Sequence, residues 1–172
     1  MSALPSLRPS DVHGVWKLVS VQQKNLDTGE LVPVHGLEPS GYIHYDPSGR
    51  MLVVITSDPS MRPDKSTIPA MSEAEQAQCF RTVAAYGGTF SIDGDQVLHE
   101  VDIAWIPGWF GPQDRRAEWR GSQLVLHTEP GTNAIYGKRT TTELVWEKVG
   151  DPVNRPPEPN LDNHTTDLPV QI

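Results

Sequence analysis

The chain has 172 residues, with 14 lysines and arginines against 22 aspartates and glutamates, and a formal net charge of −8. Its length suits one domain with a sizeable core. The negative charge argues against nucleic acids and anionic membranes as partners, because both would be repelled. A single cysteine, Cys79, excludes an internal disulfide bond and fits a reducing compartment.

The first residues, 1–10, are rich in proline and serine, and we interpret them as a flexible leader. They lack the apolar stretch of a secretory signal, and no apolar run in the chain is long enough to span a bilayer as a helix. We therefore expect a cytoplasmic protein whose folded domain covers residues 11–149.

Apolar and polar residues begin to alternate with a period of two at residue 15, which predicts a strand. Gly14 and Trp16 open this strand. A glycine followed by an inward-pointing indole is typical of the closed end of a small up-and-down barrel. Three further strands with a turn signal at 46–49 are predicted over residues 31–35, 41–45 and 51–56.

The proline-rich segment 57–71 has no periodicity and predicts a long loop. Ser72, with Glu75 three residues later, forms the capping box that begins many helices. It predicts one inserted helix over about 72–86, ended by the glycine pair at 87–88.

Short strands separated by turn signals resume after this helix. They are predicted over residues 88–92, 96–105, 114–120, 123–128 and 139–149. Many short strands with a single helix and no βαβ alternation predict an all-β fold. We expect one antiparallel barrel of eight to ten strands, because closure leaves no free sheet edge. Residues 150–172 are proline-rich and polar, which indicates a tail that is disordered or draped over the barrel.

Several short motifs recur in a characteristic order and spacing. They are GVWKLVS at 14–20, GYIHYDPSG at 41–49, AYGGTF at 85–90, HEV at 99–101, PGWFG at 107–111, Arg115, GSQLVL at 121–126 and LVWE at 144–147. Together they resemble the lipocalin-like domain proteins of bacteria and fungi, distant relatives of the lipocalins. The resemblance implies a barrel of eight to ten strands with a central apolar cavity. Some members look like small-molecule enzymes or binding proteins near natural-product pathways, and no shared catalytic set carries over.

His99 is the first candidate for a catalytic role. It shares one strand face with Val97, Val101 and Ile103, so alternation places it in the barrel lumen. A neutral imidazole there suits a general base or a proton relay. The alternative is a structural histidine that only satisfies a hydroxyl on a neighbouring strand.

Tyr42 and His44 share one face of their strand, and Ile43 and Tyr45 share the other. The two faces are nearly equal in apolarity, so either choice places a tyrosine in the lumen. We take Tyr42 as a candidate acid or carbonyl clamp. A tyrosine packed in the wall, with its hydroxyl satisfied, is the alternative.

Arg115 alternates with Ala117 and Trp119. Because Trp119 favours the interior, Arg115 is drawn to the barrel mouth or into the lumen, where it would bind a carboxylate, phenolate or enolate. An ion pair at the rim is the alternative.

The segment 105–112 combines three aromatic residues with flexible glycines, which indicates either a gate over the ligand or a plug at the barrel end. We expect these and other aromatic side chains to contact the ligand. The predicted contacts are Trp105, Trp109, Phe110, Trp119, Tyr45, His44 and Tyr86.

Three function classes follow from these features. The favoured one is an enzyme, a cofactor-independent cyclase, isomerase or lyase acting on a bulky apolar polyketide-like or terpenoid-like intermediate. The second is a passive carrier of an apolar ligand, and the third is a haem-binding barrel, which a Soret band would reveal. The sequence offers no three convergent metal ligands, so we predict no metal and no cofactor, in a monomer or a homodimer.

Overall fold

The computed structural model describes residues 7–132 and 137–150. Most of its strands lie at or near the segments that period-two alternation predicts. In chain order the strands and α-helices are α1 (Pro9–Val12), β1 (Gly14–Asn25), β2 (Leu31–Val32), β3 (Ser40–Tyr45), β4 (Arg50–Thr56), α2 (Glu73–Arg81), β5 (Val83–Asp93), β6 (Gln96–Ala104), β7 (Gly111–Arg120), β8 (Gln123–Thr128), β9 (Gly131–Thr132) and β10 (Arg139–Lys148).

Eight strands close into an antiparallel barrel in the order β1-β3-β4-β5-β6-β7-β8-β10, and β10 pairs back onto β1. The remaining strands, β2 and β9, are short extensions that pair with β1 and β10. The prediction of an all-β antiparallel barrel is confirmed. The core lies in the lumen, because alternate residues of the strands point inward, apart from local bulges, and most of these residues are apolar.

The predicted helix begins as expected but ends early. Ser72 Oγ accepts a hydrogen bond from the Glu75 N–H at 3.3 Å, and the Glu75 carboxylate accepts one from the Ser72 N–H at 2.8 Å. The helix then ends at Arg81 rather than near Tyr86, because the following residues pair with β4 as part of β5, with Val83 opposite Thr56. Sheet pairing outweighs the helical pattern there.

The glycine pair lies inside β5 and does not end the helix. A Cβ atom on Gly88 would overlap the backbone oxygen of Glu100 on β6, so the two strands approach more closely than a side chain allows. The register between β5 and β6 also shifts between Gly87 and Gly88. The glycines therefore serve a bulge in the barrel wall.

The two ends of the barrel differ. At one end, tight turns join β3 to β4, β5 to β6 and β7 to β8, and α1 packs across the opening. There Trp16 is 2% exposed, and its indole N–H donates to the Val12 carbonyl oxygen at 2.7 Å. We call this the closed end. The longer connections 26–39, 57–82 and 105–110 lie at the opposite end, the open end.

Part of the predicted leader packs on the barrel. The Leu7 N–H donates to the Gly94 carbonyl oxygen at 3.2 Å, the Leu7 side chain contacts the core, and α1 begins at Pro9. Residues 1–6 and 151–172, which include most of the predicted tail, lie outside the described residues. Neither α-helix in the described part of the chain has the length and apolarity needed to cross a membrane.

Candidate functional site

A cavity of about 140 Å³ lies in the lumen toward the open end. Its wall is mainly apolar and comes from seven of the barrel strands and two of the open-end loops. The apolar lining is Val21, Val34, Ile43, Val53, Ile55, Ala84, Trp109, Leu126, Leu144 and Trp146, and the polar lining is Gln23, His35, Tyr86, Arg115, Thr128 and Thr142. A cavity of roughly 150 Å³ accommodates benzene, so this lumen accepts one ring-sized group.

A second cavity, of about 370 Å³, lies at the mouth above it. The two cavities share four lining residues, which are Trp109, Arg115, Thr128 and Thr142. A ligand larger than one ring can therefore place its apolar end in the lumen and the rest at the mouth.

His99 is the centre of a buried hydrogen-bond network. Its side chain is inside the barrel and 1% exposed. Its Nε2 lies 2.8 Å from the Tyr45 hydroxyl and its Nδ1 lies 3.2 Å from the Tyr86 hydroxyl. Burial, with a smaller contribution from the positive charge of Arg115, lowers the pKa of His99 from 6.5 to about 3. The imidazole is therefore neutral at physiological pH and donates at one nitrogen while it accepts at the other.

The two tyrosines of this network have different surroundings. Tyr45 is fully buried, and burial is the main reason why its pKa is raised well above the usual value. Tyr86 is half-buried and lines the lumen cavity. Tyr86 is therefore the member of the network that borders the cavity.

Arg115 lines both cavities. Its Nη1 donates to the Asp114 carbonyl oxygen at 2.8 Å. Among the described residues, no carboxylate lies within salt-bridge distance of the guanidinium. Because an arginine near an apolar lumen favours an anionic partner, Arg115 is available to an anionic group of a ligand.

The structure adds one polar pair that the sequence did not indicate. His35 Nδ1 lies 2.8 Å from Ser57 Oγ, and both side chains are buried. His35 lines the lumen cavity, and burial lowers its pKa. The pair joins two open-end loops across 22 positions of sequence, so neither strand alternation nor a local motif could have revealed it.

Residues 13–149 match the family model of the lipocalin-like domain. The chain belongs to the lipocalin-like domain family. Among curated proteins, none matches the chain significantly. A lipocalin-like barrel with a lumen cavity is consistent with binding a small molecule, and family membership identifies neither an activity nor a partner.

Two predicted residues of this lipocalin-like protein lie outside the lumen. Tyr42 is 54% exposed, and His44 is half-buried on the same outer face of β3. The inner face carries Ile43, opposite Trp16 and Val53, and buries it completely. The prediction of Tyr42 as a lumen acid is therefore wrong, because pairing with two neighbouring strands, and not the apolarity of β3 alone, sets its inward face.

A bulge in β6 explains why the predicted inner face fails beyond Val101. Gly88 pairs with Val101 but Gly87 pairs with Ile103, so Asp102 is an extra residue in the ladder. An extra residue inverts the alternation. Ile103, predicted to point inward with His99, is consequently 61% exposed.

Trp105 follows this bulge and also lies on the outer surface, where its ring stacks on Phe80 at a centroid distance of 4.9 Å. Phe110 is 54% exposed. Trp119 belongs to the closed end, 5.9 Å from the ring of Trp16. These three were predicted as ligand contacts, and they do not border the cavities described above.

Trp109 is the residue of the aromatic loop that borders both cavities. Its ring packs edge-on against Tyr86 at 5.9 Å. It lies in a short turn, residues 107–109, directly above the lumen. Trp109 is therefore the residue on which a gate over the ligand would depend, and its gating role stays a prediction.

A group with the geometry of a metal site lies elsewhere, outside the lumen. Ligand atoms of Glu118, His127 and Glu143 lie within 4.8 Å of one another. Arg120 pairs with Glu143 at 3.0 Å and with Glu118 at 3.2 Å. Because both carboxylates already contact a guanidinium, we interpret this group as an ion-pair cluster on the barrel surface.

Proposed function

We propose that the protein binds a small molecule whose ring-sized apolar part occupies the lumen, and that it catalyses a cofactor-independent isomerisation, cyclisation or elimination by proton transfer. The observation that carries this proposal is the Tyr45–His99–Tyr86 network. An apolar cavity that only holds a ligand has no need of three linked proton-bearing side chains, two of which are fully buried and costly to bury unless they are satisfied.

The network has two protonation arrangements of the same charge. In one, Tyr86 donates to His99 Nδ1 and Nε2–H donates to Tyr45, so the Tyr86 oxygen accepts from the cavity. In the other, Tyr45 donates to Nε2 and Nδ1–H donates to Tyr86, so the Tyr86 hydroxyl donates to the cavity. The Tyr86 hydroxyl can therefore accept a hydrogen bond from a bound molecule or donate one to its oxygen while the network stays neutral. When Tyr86 gives its proton to that oxygen, the negative charge left on the network is neutralised by the proton taken from the substrate carbon.

Arg115 supplies the electrostatic part of this proposal. A guanidinium at the junction of the two cavities stabilises negative charge that develops on a substrate oxygen near Tyr86. The apolar wall excludes water and holds one conformer of the substrate. A ketone or enol whose oxygen reaches Tyr86 and Arg115 satisfies both requirements.

Exchange of carbon-bound hydrogen for deuterium tests the proposal without knowledge of the product. We expect the protein to accelerate exchange at the acidic α-carbon of β-tetralone, a bicyclic ketone, in deuterium oxide. His99→Ala should lower the exchange rate by about 100-fold or more with little change in binding, and Tyr86→Phe should do the same. Tyr42→Phe is the matched control, since Tyr42 lies on the outer face. Equal rates in the wild type and His99→Ala would contradict catalysis by the network.

One observation favours a carrier instead. The network ends at Tyr45, which is fully buried, so protons reach it only through the cavity. In a carrier the same residues would orient cargo by hydrogen bonds. His99→Ala would then alter ligand affinity only modestly, and no exchange would be catalysed. A crystal soaked with a crude natural-product extract would identify the bound molecule in either case.

Haem ligation does not fit the same histidine. Both nitrogens of His99 are engaged by tyrosine hydroxyls, so neither is free to bind iron. The lumen cavity of about 140 Å³ also has room for a single ring and not for a porphyrin.

A further inference from the structure

The position of His35 is fixed by contacts between two open-end loops. The Asp58 N–H donates to the His35 carbonyl oxygen at 2.8 Å, and the Glu38 N–H donates to the Asp58 carboxylate at 3.0 Å. Gly36, which follows His35, has a φ of +80°, and a Cβ atom there would overlap the Asp58 side chain. The backbone around His35 is therefore tightly held against the loop that carries Ser57.

The hydrogen bond between Ser57 and His35 has a preferred direction. Ser57 Oγ is buried, and its hydrogen-bond partner within the described part of the chain is His35 Nδ1. If Nδ1–H donated to Ser57, the serine proton would be left without an acceptor, which is unfavourable in a buried site. Ser57 therefore donates to Nδ1. A neutral imidazole carries one N–H, so His35 carries it at Nε2.

This N–H is available to a ligand. His35 lines the lumen cavity, and no described residue accepts a hydrogen bond from its Nε2. Burial lowers the pKa of His35, so the ring stays a neutral donor at physiological pH. Arg115 adds further donors to the same cavity.

The cavity lining has an excess of donors. None of the described residues that line the lumen is acidic, although the chain has a net charge of −8. The indole N–H of Trp146, another lining residue, is buried without a partner in the described structure. Buried donors without acceptors favour a ligand that brings acceptor oxygens.

We propose that the His35–Ser57 pair is a recognition element of the lumen cavity, a fixed N–H donor that with Arg115 binds an anionic oxygen on a ring-sized ligand. The ligand class is a cyclic or aromatic phenolate, enolate or carboxylate. This inference rests on the proposed function, because it assumes that the ligand occupies the same cavity.

The hydrogen position can be measured directly in the free protein. Nitrogen NMR of isotope-labelled protein at neutral pH should show His35 protonated at Nε2, and Ser57→Ala should relax this preference toward a mixture of tautomers. A wild-type ring protonated at Nδ1 would overturn the proposal, because Nε2 would then be an acceptor.

Ligand charge is tested with para-nitrophenolate and nitrobenzene, two probes of similar size, at a pH at which free para-nitrophenol is ionised. Both are expected to quench the fluorescence of the cavity tryptophans Trp109 and Trp146. We expect the wild type to bind the phenolate roughly tenfold or more tightly than nitrobenzene. His35→Phe should remove this preference and His35→Gln, which keeps an N–H donor, should retain part of it. His44→Phe on the outer face is the control.

The outcomes separate this inference from the proposed function. If nitrobenzene binds but the phenolate binds no better, the anion site is wrong while binding of small molecules in the lumen stands. If neither probe binds, lumen binding fails as well. If His35→Phe binds the phenolate as tightly as the wild type does, His35 is not a recognition element.

Discussion

The same strands form the closed and the open end of this barrel, but the two ends differ in whether buried polar atoms have hydrogen-bond partners. At the closed end the buried Trp16 indole N–H has a partner, because it donates to the Val12 carbonyl oxygen of α1. At the open end a cavity remains, and His35, which lines it, has no partner for its Nε2 in the described structure. The difference indicates that stability is concentrated at the closed end and recognition at the open end. The Tyr45–His99–Tyr86 network connects the two.

The largest effect is expected from Trp16→Ala at the closed end. Loss of a fully packed indole should lower the free energy of unfolding by about 3–5 kcal/mol, because a cavity forms beneath α1. Trp105→Ala is the matched control, since Trp105 is 43% exposed on the outer surface, and it should cost about 1 kcal/mol. Urea denaturation of both variants measures the contrast. An unchanged midpoint for Trp16→Ala would show that the closed end does not dominate stability.

The next effect concerns acid stability at the junction of the two ends, and it is smaller than that of Trp16→Ala except at the acid end of the pH range. The folded protein keeps His99 neutral down to about pH 3, whereas the unfolded chain binds a proton near pH 6.5. Stability is therefore unaffected by His99 above pH 6.5 and falls between pH 6.5 and about 3, by roughly 1.4 kcal/mol per pH unit. The lowered pKa of His35 acts in the same direction.

His99→Gln should flatten this pH dependence, because the introduced amide does not titrate. Denaturation measured over a pH series in both proteins isolates the contribution of His99 from that of the carboxylates. His44→Gln, on the outer face, should retain the wild-type slope. Parallel curves for the wild type and His99→Gln would mean that the histidine is protonated in the folded state.

The smallest effect is expected from truncation after Gly150. Residues 151–172 are proline-rich and polar and offer few apolar groups for burial. β10 ends at Lys148 beside the closed end. Truncation therefore tests whether α1 alone is enough to cover that end. The melting temperature should change by no more than about 3 °C. A larger drop would identify the tail as part of the closure.

The barrel could be predicted because its evidence is repeated along the chain. Period-two alternation and turn signals recur along the chain, and the capping box marks the start of α2, the longer helix. Each of these patterns corresponds to a local backbone preference. The lumen position of His99 could be proposed in the same way. It lies between Val97 and Val101, before the bulge changes the alternation.

The rest of the site depends on contacts that no local pattern records. Which face of β3 points inward was decided by Trp16 and Val53 on its neighbours. The bulge at Asp102 turned Trp105 outward. The approach of His35 to Ser57 depends on two loops that meet only in the folded chain. Sequence periodicity describes one strand at a time, whereas these features arise from contacts between two strands or two loops.

Gly88 is a position at which the polar network could be interrupted without replacing any of its members. It lies between Tyr86 and Phe90 on β5, and Phe90 is the residue paired with His99. Because a single methyl group at Gly88 would collide with the β6 backbone, an alanine there would force the strands apart between the two halves of the Tyr86–His99 contact. A single substitution could thus disconnect the cavity from the buried imidazole without replacing any polar residue of the site.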